Sequence, residues 1–154
     1  LSNIVMAKRD KKPRVIQEPK AGKPKIAEVP ENHDKQKVSW QFSRADLHHD
    51  RWGWHLLEHE AFVQMFLSGS LCGIESQTWA ELKSGKQHHS IEVGRLCRDA
   101  QRRLEALQLD DQDEVFSLRL SGRHRVFGIR EGAALKILWN DPEHEICPST
   151  KRNT

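Results

Sequence analysis

The chain has 154 residues, 31% of them charged and 36% hydrophobic, with a mean hydropathy of -0.75. That length suits one domain with an appendage rather than two full domains, and no apolar run approaches the ~18 residues a membrane span needs. The formal charge of +3 hides an uneven split: residues 1–37 hold ten Lys/Arg against five Asp/Glu, and the remaining 117 residues hold 15 against 17. The body of the chain is therefore no general polyanion binder, and any nucleic-acid site on it must be local.

Residues 1–37 contain Pro13, Pro19, Pro24 and Pro30, frequent lysines and no aromatic residue. Such a segment buries too little apolar surface to offset its ordering entropy, so a disordered basic arm is expected there, with a folded domain over 38–154. With no apolar core of a signal peptide near residue 1, the expectation is a cytoplasmic protein without membrane contact. Cys72, Cys97 and Cys147 are odd in number and widely spaced, which suits buried thiols rather than a disulfide framework or a metal site.

The domain opens with a predicted strand over Lys37–Ser43, where Trp40 and Phe42 alternate with Ser39 and Gln41. Asp46 or Asp50 then caps the approach to a helix over His55–Ser68, in which Leu56, Leu57, Phe62, Val63, Phe66 and Leu67 recur at helical spacing. Gly69 and Gly73 break that pattern, and Ser76–Leu82 reads as a short helical piece anchored by Trp79. After a polar loop through Lys83–His89, the spacing predicts a second helix over Ile91–Leu107, with Ile91, Val93, Leu96, Cys97, Ala100, Leu104 and Leu107 on one side. Asp110, Asp111, Asp113 and Glu114 form an acidic turn into the last third of the chain.

That last third reads as an antiparallel meander. Phe116, Leu118 and Leu120 alternate with Val115, Ser117 and Arg119; Ser121-Gly122 and Glu131-Gly132 supply turns; Arg125–Arg130 and Ala134–Asn140 are the next strands; and Asp141-Pro142 bends into His144–Cys147. Two-residue turns would place Phe116, Leu118, Leu120, Phe127, Ile129 and Leu138 with Arg123 and Arg125 on one face. Val115, Val126, Leu135, Ile137 and Trp139 would then share the other with Arg119, His124 and Arg130. One face is expected under the helices and the other half-open, and a one-residue slip exchanges them, so the sequence leaves open which is which. The fold class expected is α+β.

Between Val115 and Arg130 stand four arginines, Arg119, Arg123, Arg125 and Arg130, and no carboxylate. Guanidinium forks match phosphate oxygens bidentately and keep their charge at physiological pH; the competing reading is ordinary cross-strand pairing with Asp113 or Glu114. His144, beyond the last strand, would lie beside them, where a shifted pKa suits a general acid or base. Trp139 could stack on a base if its face is the open one. His55 and His59 have the i,i+4 spacing of a helical metal pair, but the motif is not HExxH and no third ligand is placed, so a polar helix edge is the reading and no metal or cofactor is called for. His88-His89 is read in the same way. No Walker loop, GxSxG elbow or GxGxxG turn appears, which disfavours classical nucleotide and serine hydrolysis.

The run VFSLRL, turning into HRVFGIR, then ALKILW and a histidine in PEHEI, resembles the RelE/ParE toxin superfamily, and in particular its YoeB-like mRNA endoribonucleases. The opening KVSWQFS is similar to that family's first strand. The resemblance implies a RelE-like domain of helices before a C-terminal meander, with Arg125 steadying the scissile phosphate and His144 assisting proton transfer. Arg119, Arg123 and Arg130 become supporting phosphate contacts, and the general base, a carboxylate in that branch, is left unassigned, with Glu114 and Asp113 as neighbours. This chain differs in having no tyrosine, extra helical residues around Ser76–Glu92 and a domain that is not basic. The implied activity is metal-independent, ribosome-dependent mRNA cleavage by a toxin with a cognate antitoxin protein. The alternative is a non-catalytic RNA- or protein-binding module of a mobile element or defence system on the same scaffold.

Overall fold

The structure, a computed structural model, describes residues 32–148. It is α+β: a mixed five-stranded sheet with helical layers on both faces. The strands are β1 (Ser39–Gln41), β2 (His89–Glu92), β3 (Glu114–Ser121), β4 (His124–Glu131) and β5 (Ala134–Asp141), in the order β1-β5-β4-β3-β2. Only β1 runs parallel to its neighbour, β5. The expected meander is β3-β4-β5, and it forms where alternating apolar residues flank turns containing Gly122 and Gly132, the latter at φ +65°. Among the described residues no helix is long and apolar enough to cross a membrane.

The helices are α1 (His59–Phe62), α2 (Ser70–Ile74), α3 (Trp79–Ser84) and α4 (Arg98–Ala106). A capping box starts α3: the Thr78 hydroxyl accepts from the Glu81 N–H at 3.1 Å, and the Glu81 carboxylate accepts from the Thr78 N–H at 2.9 Å. Trp79 is its anchor as expected, fully buried. The helix expected over His55–Ser68 is broken instead. A 3₁₀ turn at Trp54–Leu56, α1 and a π-helical turn at Val63–Leu67 replace it. His55 and His59 consequently do not share a helix. At Gly69 a Cβ would collide with the Gln64 carbonyl oxygen, so only glycine allows the chain to fold back into α2 here.

The helix expected over Ile91–Leu107 is also corrected. Ile91 lies on β2, paired with Val115; Val93–Arg95 is a 3₁₀ turn; and α4 begins only at Arg98. Pairing with the free edge of β3 draws the β-branched Ile91 into a strand despite the helical spacing around it. Ile91, Leu96, Ala100 and Leu104 still converge on one apolar cluster, which is why their spacing mimicked a helix.

Both sheet faces are covered, contrary to the half-open face expected. Val115, Phe127, Ile129, Leu138 and Trp139 pack beneath Ala100 and Leu104 of α4, together with Trp52 and Ile146. Phe116, Leu118, Val126, Leu135 and Ile137 pack on the opposite side against Leu71, Ile74, Trp79 and Leu82. The facial assignment from two-residue turns fails because each hairpin carries a register shift. Leu120 is extra in β3, so Leu118 faces Val126, and Leu138 is extra in β5, so Phe127 faces Trp139. The Leu138 carbonyl freed by the second bulge accepts from the Asp46 N–H at 2.9 Å and the Trp54 indole at 3.0 Å.

The arm expected over 1–37 lies outside the described residues as far as residue 31. Its last residues belong to the domain: His33–Lys35 form a 3₁₀ turn, Asp34 pairs with Arg130 at 2.8 Å and Lys83 at 3.0 Å, and Lys37 bridges Thr78.

Asp46 caps no helix. Its side chain is 1% exposed and accepts both Arg103 Nε and Nη2 at 2.8 Å, the Trp139 indole at 2.9 Å, and the His48 and His49 N–H groups at 3.1 and 3.2 Å. Burial opposes its ionised form, yet these donors, Arg103 first, hold the carboxyl well below the usual carboxylate range. A carboxylate depressed in this way adds stability that is full above its unfolded value near pH 4 and is lost as pH falls through the folded one. Arg103→Met should therefore cost about 3 kcal/mol in denaturant unfolding at neutral pH. The deficit should shrink below about pH 4; an unchanged deficit there would show that Asp46 is not the group lost.

Candidate functional site

Arg119 and Arg125 stand directly opposite one another on β3 and β4, on the same face of the sheet. The sequence reading had placed them on opposite faces; the bulge at Leu120 brings them together. Like charges opposed across a ladder destabilise it by roughly 0.2–1 kcal/mol, and among the described residues neither arginine forms an ion pair to relieve this. Arg125 Nη1 instead donates to the Gly122 carbonyl at 2.8 Å, with the Ser121 and His124 carbonyls at 3.3 Å. Neutral acceptors orient the guanidinium and leave its charge uncancelled. Burial first, and Arg119 second, push the Arg125 pKa down, and Asp141 opposes them; a guanidinium so shifted remains a cation at neutral pH.

Beyond β5 the chain turns sharply and returns His144 to the arginines. Asp141 builds this turn: fully buried, it accepts the Glu145 N–H on one carboxylate oxygen and the Ile146 N–H on the other, both at 2.9 Å. Ile146 is itself fully buried, and its carbonyl accepts from the Cys97 N–H at 2.8 Å, at the start of α4. His144 has φ +60°. A left-handed conformation costs a non-glycine residue about 1–2 kcal/mol, which two hydrogen bonds to a carboxylate, about 1.5–3 kcal/mol each, outweigh. Burial raises the Asp141 pKa despite those N–H donors. Burial and then Arg125 lower that of His144, against opposing contributions from Asp141 and the Cys147 backbone, so its imidazole is predominantly neutral at pH 7.

Arg119, Arg125 and His144 line one open cavity of about 220 Å³, together with Lys86, Arg95 and His89. Among the described residues no carboxylate lines it. Its walls are Ile91 and Phe127, whose sheet face is otherwise closed by α4. His88 sits at the margin, its Nδ1 accepting the Arg119 backbone N–H at 3.0 Å. Burial first, then His89 and Arg125, hold its pKa down.

The other expected contacts lie elsewhere. Arg123 is at the exposed hairpin tip, paired with Glu143 at 2.9 Å. Arg130 is committed to structure: it pairs with Asp34, donates Nε to the Gly132 carbonyl at 2.9 Å and lies 4.1 Å over the Trp79 ring. Trp139 is fully buried on Asp46 and has no face for a base. Asp113 and Glu114 line a separate, larger hollow of about 610 Å³. Glu114 is five residues along β3 from Arg119, about 17 Å at strand rise, too far to serve this cavity. His89, Lys86 and Arg95 were missed. The signal for His89 was its i,i+2 spacing to Ile91, legible only once that segment is a strand rather than a loop entering a helix.

No family model, curated protein or solved structure matches the chain.

The shared cavity has a direct spectroscopic consequence. In the NMR titration of the His144 ring protons, the midpoint should lie below the ordinary histidine value of about 6.5, and Arg125→Gln should move it upward. A midpoint indifferent to that substitution would mean that Arg125 exerts no field on His144.

Proposed function

We propose that the chain is a metal-independent endoribonuclease of the RelE/ParE type, acting in the cytoplasm on mRNA in the ribosome and restrained by a cognate antitoxin protein. The observation that carries this reading is the pair Arg119 and Arg125, opposed in one cavity with His144, with no counter-ion and no cavity carboxylate among the described residues. An anion between the two guanidinium groups turns mutual repulsion into two attractions. A phosphodiester suits the forked donors, and its charge grows on the non-bridging oxygens as a ribose 2′-oxygen attacks phosphorus. The imidazole beside it supplies a proton to the departing 5′-oxygen. RNA is the substrate class because the attacking 2′-hydroxyl is its own.

A neutral imidazole is a poor acid until it gains a proton. Burial first and the Arg125 field second keep His144 neutral, and the negative charge of the arriving phosphate offsets the second of these. Substrate binding and protonation are thereby linked.

The second reading, a non-catalytic RNA- or protein-binding module, draws on a different surface. Phe42, Leu47, Leu56, Phe62 and Leu67 are exposed large apolar residues, and three of them, Phe42, Leu47 and Phe62, line a hollow of about 360 Å³ with Trp54 and Phe66.

Two experiments test the first reading. On induction of the wild type, newly generated RNA 5′ ends should appear within translated mRNA; Arg125→Ala should lower cleavage by about 10²–10³-fold and His144→Ala by about 10²–10⁴-fold. Expression that leaves mRNA intact would refute the nuclease and favour the module. Separately, four cavity cations predict a log–log salt slope for single-stranded RNA binding near -3, at about -0.7 per phosphate contact; a slope near zero would exclude phosphate contact at this cavity.

A further inference from the structure

We infer that His89 is the general base of the reaction, taking the 2′-hydroxyl proton on Nε2 from the side of the phosphate opposite His144; this rests on the nuclease reading above. Four elements supply the argument in spatial order. β2, β3, β4 and the turn after β5 lie side by side, and they present His89, Arg119, Arg125 and His144 to one cavity. The two guanidinium groups occupy the middle and the two imidazoles the flanks. Across the sheet, β2 and β5 are three strand spacings apart, about 14 Å, and His89 and His144 both line the cavity between them. In-line displacement at phosphorus needs this order: cations at the equatorial oxygens, a base at one apical position and an acid at the other.

His89 is placed by the register of β2. It pairs with Ser117, one alternation from the buried Ile91–Val115 pair, so its side chain shares the face on which Arg119 and Arg125 project. Its tautomer is set as well. Nδ1 lies 3.2 Å from the Ser90 carbonyl oxygen, which can only accept, so in the neutral ring Nδ1 carries the proton and Nε2 presents a lone pair. The ionisable groups facing it are Lys86 from the preceding loop, Arg95 from the turn after β2, Arg119, Arg125, His144, the Cys147 thiol and the adjacent His88, with no carboxylate among the described cavity residues. His89 fills the role that Asp113 and Glu114 are too distant to take.

The step balances without a further reactant. The 2′-oxygen forms its bond to phosphorus as its proton passes to His89 Nε2. The bond from phosphorus to the 5′-oxygen breaks as His144 protonates that oxygen. The products are a 2′,3′-cyclic phosphate end and a 5′-hydroxyl end, and exchange with solvent resets both imidazoles.

The test is single-turnover cleavage, by the full chain with programmed ribosomes, of mRNA carrying either the normal linkage or a sulfur in place of the bridging 5′-oxygen. Sulfur departs without protonation. His144→Gln should lose at least 10²-fold on the normal linkage and recover on the sulfur one. His89→Gln should lose at least 10²-fold on both, chiefly in kcat, and should abolish the acidic limb of the pH–rate profile. Because His89 is exposed, His89→Gln and His89→Asn should both keep the wild-type melting midpoint. Wild-type rates in both His89 variants overturn this assignment alone, while Arg125→Ala remains inactive. Recovery of His89→Gln on the sulfur linkage overturns it too, since the residue would then be the acid. If the wild type cleaves neither substrate, the nuclease reading falls and this inference with it.

Discussion

The site depends on one constraint, the register of β3 against β4. Arg119 meets Arg125 because Leu120 is accommodated as an extra residue before the hairpin closes at Ser121 and His124. Side chains alternate across a strand, so a one-residue slip would send Arg119 to the face of Leu118 and Val126, beneath α2 and α3. The flanking apolar pairs resist that slip: Leu118 with Val126 and Ser117 with Phe127 are buried on opposite faces, and a slip would exchange all of them. Core packing thus holds in place a repulsive arginine pair that the local sequence would not choose.

Two buried carboxylates turn this sheet into a framework, and they do so by opposite means. Asp46 has a counter-ion. Its bidentate link to Arg103 fastens α4 over Trp139, and its backbone joins the 46–54 loop to the bulge carbonyl of Leu138. Asp141 has none among the described residues, and burial raises its pKa even though two N–H groups reach it. It shapes a turn rather than fastening a helix. The two are joined at the Cys97 N–H, which opens α4 and binds the Ile146 carbonyl of the turn that Asp141 closes. His144 therefore takes its position from the same helix that Asp46 secures.

The sequence was most legible where the pattern is local. The three long strands, both glycine turns and the Trp79 anchor follow from alternation and turn chemistry, and Arg125 with His144 follows from their place on the meander. It was least legible where long-range pairing decides. Ile91 and Leu96 are spaced as in a helix, but β3 offers an unpaired edge, and that edge draws residues 89–92 into a strand. The same event turns His89 from a loop histidine into a cavity residue. Bulges at Leu120 and Leu138 have no composition cue, so face assignment failed even with correct strands. Arg130 and Trp139 looked available for RNA because their partners, Asp34 and Asp46, lie 96 and 93 residues away in the chain.

Net charge describes this domain poorly, and the reason bears on its chemistry. Residues 38–154 carry slightly more acid than base, yet much of that acid is spent in pairs: Asp46 with Arg103, Asp99 with Arg51 and Arg102, Glu131 with Lys136, Glu143 with Arg123; Asp34, which precedes this segment, pairs with Arg130 and Lys83. Each pairing cancels a cation outside the cavity. Lys86, Arg95, Arg119 and Arg125 are left facing a hollow whose floor is Ile91 and Phe127, and low-dielectric walls focus an uncancelled field. On the nuclease reading, a polyanion approaching such a surface finds little general attraction and one local one. On the same reading, burial and that field keep the His144 imidazole neutral before a phosphate arrives, and the charge of the phosphate then favours its protonation. The acidic body and the basic cavity are in this sense one design, in which binding energy is confined to the place where it can also change a protonation state.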